Sequence, residues 1–376
     1  MGSTFGFHSS MSIWQKLRHL NWGLLALLTA IACLGFTALY SAAGGNLDPW
    51  ASRQMMRFVF GVGVLITVAL VDVRWWYRLS YPAYAIGFIM LIIVEAIGQI
   101  NMGAQRWINL GFMQIQPSEI MKIVVVMALA RYFHGASLQD MRRIFFLVPP
   151  ALMILAPAGL VMLQPDLDTA GMIIIVGTAL FFVAGLSLWI FGAAIAGVLA
   201  LLPVAWHFMH DYQKRRIMTF MDPESDPLGA GYHISQSKIA LGSGGVGGKG
   251  FLNGSQSHLN FLPEKQTDFI FTLWAEEWGL TGGVFMLALF GLVFAYGSWI
   301  ALRCRHAYGR LLAFGIVTNF SIYVFINVAM VMGVIPVVGT PLPLVSYGGT
   351  AMLSVMIGFG LVMSCSIHRD SKLPRM

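Results

Sequence analysis

The chain has 376 residues, of which 57% are hydrophobic, 13% aromatic and only 10% charged, and its mean hydropathy is +0.74. A water-soluble domain carries roughly a quarter charged residues, so this composition excludes an ordinary soluble enzyme, a disordered chain and a nucleic-acid-binding module. The net charge of +7 therefore calls for a topological explanation, and the three scattered cysteines, Cys33, Cys304 and Cys365, provide neither a disulfide framework nor a zinc site.

Crossing the hydrocarbon layer takes about 20 helical residues. Ten apolar windows meet that requirement, at 21–42, 55–72, 79–98, 117–134, 144–163, 168–187, 188–209, 268–299, 311–334 and 348–368. The sixth and seventh run together and are divided at Gly185-Leu-Ser, because the combined stretch is too long for one crossing. Residues 1–20 lack the basic, apolar and cleavage segments of a signal peptide, so the first span is expected to be retained. One large loop, 210–267, lies between the seventh and eighth spans. No internal repeat and no low-complexity linker divides the chain. The expectation is a single all-α polytopic membrane domain over 1–376, with about ten transmembrane helices.

With ten spans both termini share a side, and the positive-inside rule selects it. Lys16, Arg18, Arg74, Arg78, Arg131, Arg142, Arg143, Arg303, Arg305, Arg310, Arg369, Lys372 and Arg375 fall on one side with only Asp72, Asp140 and Asp370. That side, with residues 1–20 and 369–376, is expected to be cytoplasmic. The loop 210–267 and most of the acids are then extracytoplasmic.

Ionisable groups at membrane depth are costly, so each needs a partner or a function. The fourth span opens Gln116-Pro117-Ser118-Glu119-Ile-Met-Lys122, with proline in the first turn, where its missing N–H does no harm. Glu119 and Lys122 share a helix face. Their spacing fits either a neutralised pair joining two helices or a charged niche where Lys122 meets an anionic ligand and Glu119 holds the lysine. Between the fifth and sixth spans, Gln164-Pro-Asp166-Leu-Asp168-Thr169 puts two carboxylates in one turn, as candidate divalent-cation ligands or with Asp168 as a helix cap. His207 and His210 share a helix end, but without a third ligand they do not make a zinc site.

The run Gly242-Ser-Gly244-Gly-Val-Gly247-Gly248-Lys249-Gly250 formally satisfies G-x-G-x-x-G. It lacks the preceding strand and βαβ unit of a dinucleotide fold, so it is read as tight backbone against a ligand or a neighbouring helix, with N–H groups available to oxyanions. Asp268 stands at the positive end of the eighth span. Capping by Asp268 or Thr267, a carboxylate base and a metal ligand are all open to it. Glu276 and Glu277 lie about two turns further on different faces, so at least one should enter the bundle. Asn319, Tyr323 and Asn327 form a polar stripe on the ninth span, read as interhelical bonding. The charge-free, Pro- and Gly-rich segment 336–349 is expected to be a re-entrant or interfacial loop near the site, since irregular backbone survives at membrane depth only when buried or lining a wet cavity.

Together these stretches resemble the SEDS family (shape, elongation, division and sporulation) of polytopic cell-wall proteins. The resemblance runs from the first span to the tenth. It rests on Gly103-Ala-Gln-Arg106-Trp107-Ile-Asn109, Gln116-Pro-Ser-Glu119 with Lys122, Gln164-Pro-Asp166, Gly231-Tyr-His-Ile-Ser-Gln236-Ser-Lys-Ile-Ala240, Phe261-Leu-Pro-Glu-Lys-Gln-Thr-Asp268-Phe-Ile-Phe271 and Pro341-Leu-Pro-Leu-Val-Ser346-Tyr-Gly-Gly349. Gly244-Gly-Val-Gly-Gly-Lys-Gly250, Gln256-Ser-His-Leu-Asn260 and Lys265 make it similar to the elongation branch rather than the division branch. Glu95 falls outside the matching stretches.

The resemblance implies a peptidoglycan glycosyltransferase that polymerises lipid II at the outer face of the cytoplasmic membrane, alongside a crosslinking class B penicillin-binding protein. It places the family's essential aspartate on Asp268 and its outward Glu and Lys on Glu119 and Lys122. The expected chemistry is Asp268 as general base or as ligand of a divalent cation, Mg²⁺ or Mn²⁺. Charge on the leaving diphosphate would be neutralised by that ion or by Lys122, Arg106, the cluster Lys214-Arg215-Arg216 or Lys249, with Ser346 a further substrate-binding candidate. The rival readings are a transporter that flips the lipid-linked precursor, and a non-catalytic scaffold. A transporter is expected to show broken midplane helices and repeat symmetry, whereas here the polar groups crowd toward one face.

Overall fold

The computed structural model describes residues 11–97, 99–101, 104–109, 114–137, 139–209, 211–222, 230–258 and 264–374. In chain order the elements are α1 (Ile13–Arg18), α2 (Trp22–Ala42), α3 (Ala51–Leu70), α4 (Val73–Ile97), β1 (Gln99–Asn101), β2 (Ala104–Asn109), β3 (Gln114–Ile115), α5 (Pro117–His134), α6 (Ile144–Leu163), α7 (Leu167–Val183), α8 (Leu188–Phe208), α9 (Asp211–Met221), α10 (Ala230–Ser243), α11 (Ser255–His258), α12 (Ile270–Arg303), α13 (Ala307–Val331) and α14 (Gly349–Ile367). Seven of these, α2, α3, α4, α6, α12, α13 and α14, are long and apolar enough to cross a membrane. α5 has only 18 residues, so Glu119, Lys122 and Arg131 all fall within its one membrane-length window, which keeps it out of that group.

Three expectations change. The all-α reading is amended by a small antiparallel sheet of order β1-β2-β3, pairing Asn101 with Ala104 and Ile108 with Ile115. Trp107 and Ile108 supply its β-forming residues, in strands too short for an alternation signal. The stretch 210–267 is not a bare loop, because α9, α10 and α11 lie within it. The eighth apolar stretch starts its helix at Ile270, which leaves Asp268 in the preceding turn, and it continues to Arg303 across a break at Gly279 (φ 65, ψ −163). The division at Gly185 stands: α7 ends at Val183, α8 begins at Leu188, and Gly185 between them has φ 99.

Burial follows position in the bundle. α5, α13 and α14 are buried on most sides, so they show no single apolar face. α6 and α8 expose Phe145, Leu152, Leu188 and Trp189, the pattern of a surface that meets lipid. Close helix contact depends on small residues: a Cβ on Gly360 of α14 would lie 2.8 Å from the Leu65 carbonyl oxygen of α3. The N-terminal ends of α3, α5, α12 and α14 share one end of the bundle, tied by Gln54 Nε2 to the Ser346 carbonyl at 2.8 Å and Ser354 Oγ to Glu119 Oε2 at 3.0 Å. The C-terminal ends of α12 and α14 meet α1 and the α3–α4 turn at the other.

Candidate active site

Asp268 sits in a turn that the segment 336–348 holds from below. Ser346 Oγ donates to the Thr267 carbonyl at 2.5 Å and accepts from the Leu342 N–H at 2.7 Å, while the Tyr347 N–H reaches the Gln266 carbonyl at 2.8 Å. From α13, Asn327 Nδ2 donates to the carbonyls of Asp268 at 2.8 Å and Thr340 at 2.7 Å. Asp268 does not cap α12; the cap position is Phe269, with no side chain closing it, and the Thr267 hydroxyl turns back to Glu264. Gly339, at φ 86, brings its backbone against the Asp268 carboxyl, and a Cβ there would stand 3.4 Å from Asp268 Oδ2. Burial, reinforced by the Glu264 charge, pushes the Asp268 carboxyl up to about 6.

The second cluster lies on α5, α13 and α14. Lys122 Nζ donates to Glu119 Oε1 at 2.7 Å, and both side chains are buried. Tyr323 of α13 joins them: its hydroxyl accepts from Lys122 and donates to Glu119 Oε1, and its ring centroid lies 4.0 Å from the lysine nitrogen. Ser354 Oγ completes the shell of Glu119. An ion pair taken out of water needs such further hydrogen bonds to offset its desolvation. Tyr323 and Asn327 are one turn apart on α13, about 6 Å along its axis, so one helix face holds both the Asp268 turn and the Glu119–Lys122 pair.

The glycine run has a structural place. It lies against the break in α12, where the Lys249 and Gly250 N–H groups donate to the Glu276 and Glu277 carbonyls, and the Leu280 and Thr281 N–H groups donate to the Gly245 and Val246 carbonyls. These bonds satisfy groups that the interrupted helix leaves open. Cβ atoms on Gly248 and Gly244 would lie 2.1 Å from the Glu277 and 2.3 Å from the Ala275 carbonyl oxygen, so the sequence demands glycine here for contact with a helix. The Lys249 and Gly250 N–H groups are committed to that helix rather than offered to an oxyanion. Lys249 Nζ bonds buried Glu276 at 2.8 Å and Ser255 Oγ at 2.7 Å. Glu277, also buried, accepts from Ser41 of α2.

Asp166, not Asp168, caps α7: its carboxylate accepts from the Thr169 N–H at 3.3 Å, Thr169 Oγ1 at 3.0 Å and Gln116 Nε2 at 3.3 Å. The cap falls there because the helix starts at Leu167. Asp168 instead faces Arg216 of α9 at 3.9 Å, and Arg215 is exposed on the same helix. Glu95 is exposed near the end of α4. The Arg106 side chain and His210 lie outside the described residues. Ser354 and Gln54 are the contributors that sequence reasoning missed; the available signal was a polar side chain at depth in an apolar helix. Among the described residues no group of three or more His, Cys, Asp or Glu is gathered to hold a metal. Asp268 with Glu264 nearby offers only the sparse carboxylate set that suits Mg²⁺, which keeps waters and takes further oxygens from a substrate phosphate.

Residues 17–371 match the family model for the FtsW/RodA/SpoVE cell cycle proteins. The chain is 43% identical over 367 residues to the peptidoglycan glycosyltransferase MrdB of Escherichia coli K12, covering 95% of this chain and 96% of that one. It is 31% identical to the peptidoglycan glycosyltransferase RodA of Treponema pallidum, covering 92% and 97%. Among solved structures, a chain from a peptidoglycan synthase complex described as coordinating polymerization and crosslinking superposes with a TM-score of 0.81 at 33% identity, over 93% of this chain and 98% of that chain. The Rod shape determining protein RodA of Thermus thermophilus does so with a TM-score of 0.72 at 29% identity, over 94% and 98%.

Proposed function

The chain belongs to the FtsW/RodA/SpoVE family, the SEDS proteins, and is a peptidoglycan glycosyltransferase of cell elongation; on that premise we propose that Asp268 is its general base. The observation that carries this reading is a carboxyl that caps no helix, is pushed up to about 6 by burial, and stands on backbone fixed by Asn327 and Ser346. A base whose proton affinity lies near working pH transfers protons most effectively.

In the proposed reaction Asp268 takes the proton from the 4-hydroxyl of the acceptor N-acetylglucosamine in lipid II. That oxygen attacks the donor's anomeric carbon, the bond to undecaprenyl diphosphate breaks, and the new glycosidic bond forms with inversion. Lys122 and Glu119 form a fixed, charged floor one turn of α13 away. Among the described residues, the α9 cluster is the proposed countercharge for a departing diphosphate: Arg215 is exposed, and the Arg216 side chain, 43% exposed, is only loosely held by Asp168 at 3.9 Å. A divalent cation at Asp268 and Glu264, when bound, would neutralise diphosphate charge.

Ten crossings are proposed, adding α5, α7 and α8 to the seven long apolar helices. The positive-inside rule then puts both termini in the cytoplasm and the Asp268 end at the outer face, where both lipid-linked substrates can present their sugars. A class B penicillin-binding protein is the proposed partner, in keeping with a similar chain's place in a complex of polymerization and crosslinking. The test is purified chain with labelled lipid II, a divalent ion and that partner, with products resolved on a gel. A glycan ladder from wild type and none from Asp268→Ala supports the reading. No ladder, while vesicles carrying the protein move lipid II between leaflets, replaces it with a transporter.

A further inference from the structure

At the end of the bundle opposite Asp268, a cavity of about 750 Å³ opens between α1, the start of α2, the α3–α4 turn and the C-terminal ends of α12 and α14. Its volume lies within the roughly 300–1,000 Å³ of small-molecule sites. α14 alone sets it about 27 Å from the Asp268 end. Six cations line it, Lys16, Arg18, Arg74, Arg303, Arg369 and Lys372, against two acids, Asp72 and Asp370.

Those acids are already engaged. Asp72 lies 3.9 Å from Arg74, and Asp370 lies 3.4 Å from Arg369 and 3.1 Å from Arg305. Lys16 Nζ donates to the Leu70 carbonyl at 2.8 Å. Among the described residues no carboxylate pairs with Arg18, Arg303 or Lys372. His368 also lines the cavity, is 4% exposed, and has its Nδ1 on the Ser364 carbonyl at 3.0 Å while its Nε2 has no hydrogen-bond partner. A concave site with surplus positive charge and an unanswered buried polar atom is built for an anion.

The surroundings identify the kind of anion. Trp14, Trp22, Trp75 and Trp299 are exposed at this same end, with Leu302 beside them, and Arg303 lies over the Trp299 ring at 3.9 Å. Indoles gather where headgroups meet acyl chains, and basic pockets between helix ends recognise phospholipid headgroups. We propose that this cavity binds the phosphate headgroup of an anionic phospholipid such as phosphatidylglycerol.

The test uses detergent-purified full-length protein and native mass spectrometry during titration with phosphatidylglycerol, phosphatidylcholine or inorganic phosphate. Wild type is expected to retain phosphatidylglycerol in preference to phosphatidylcholine, and millimolar inorganic phosphate is expected not to displace it. Arg18→Gln, Arg303→Gln and Lys372→Gln, each read singly so that no combined variant has to fold, should each weaken retention roughly fivefold. Arg142→Gln and Arg143→Gln, which remove charge outside the cavity, should leave it unchanged. Equal retention of the two lipids, or equal loss from the Arg142 and Arg143 variants, would overturn the proposal. Displacement by inorganic phosphate would overturn the lipid as source in favour of a soluble phosphate.

Discussion

Tyr323 and Asn327 occupy successive turns of one face of α13, and each holds one half of the site. Tyr323 bonds the Glu119–Lys122 pair, and Asn327 bonds the Asp268 and Thr340 carbonyls. α13 is therefore the ruler that sets the two polar groups at a fixed spacing. Replacing Asn327 with Ala removes its hydrogen bonds to the Asp268 carbonyl and to the Thr340 carbonyl and should lower polymerisation by tenfold or more, at a stability cost of about 1–3 kcal/mol. Lipid II turnover and thermal unfolding on the same preparation separate the two effects.

Asp268→Asn keeps the shape of the side chain and removes the base, so turnover should be lost with the melting temperature unchanged. In wild type the raised carboxyl sets the sign of the pH profile. Above about pH 7 Asp268 is a carboxylate and the rate is full; as pH falls through about 6 the base gains its proton, and the rate should drop about tenfold per further unit. A flat profile between about pH 5 and 8 would remove Asp268 from proton transfer.

Lys122→Met leaves Glu119 buried with its principal countercharge gone, which costs roughly 3–5 kcal/mol. The double variant Glu119→Gln, Lys122→Met should regain most of that stability, because a buried pair contributes little net stabilisation over its neutral replacement. Activity is expected to stay low in the double variant. Full recovery of turnover with the recovered stability would show that the pair is only a staple.

Gly248→Ala places a Cβ 2.1 Å from the Glu277 carbonyl oxygen at a backbone φ of 81. The left-handed conformation alone costs roughly 1–2 kcal/mol for a residue with a side chain, and the clash adds to it. A clear fall in melting temperature is expected. Lys249→Ala should also destabilise, by about 3–5 kcal/mol, because Glu276 is fully buried; an unchanged melting point together with lost turnover would return Lys249 to the substrate.

Chelation tests the metal reading. If Asp268 and Glu264 share a divalent cation, EDTA should abolish polymerisation, Mg²⁺ or Mn²⁺ should restore it, and Glu264→Gln should raise the ion concentration needed for half activity. Retained turnover after exhaustive chelation would leave Asp268 as a base acting without an ion.

The membrane class, the long apolar stretches, the charge asymmetry between the two ends and the motifs around Glu119 and Asp268 were legible in the amino-acid sequence. Each depends on local composition or on spacing along one helix, and transfer into lipid penalises charge residue by residue. What a side chain does with its polar atoms depends on neighbours hundreds of positions away, and those only the tertiary structure decided. Spacing offered Asp168 as the cap until the helix start at Leu167 gave that position to Asp166. The glycine run satisfied a phosphate-binding pattern, yet it fills the break at Gly279 because the open N–H and carbonyl groups of an interrupted helix must find partners. Capping, a base and a metal ligand were all open to Asp268 until Phe269 took the cap position and removed the first, and its link to Glu119 and Lys122 exists only because α13 packs against α5 and the Asp268 turn together.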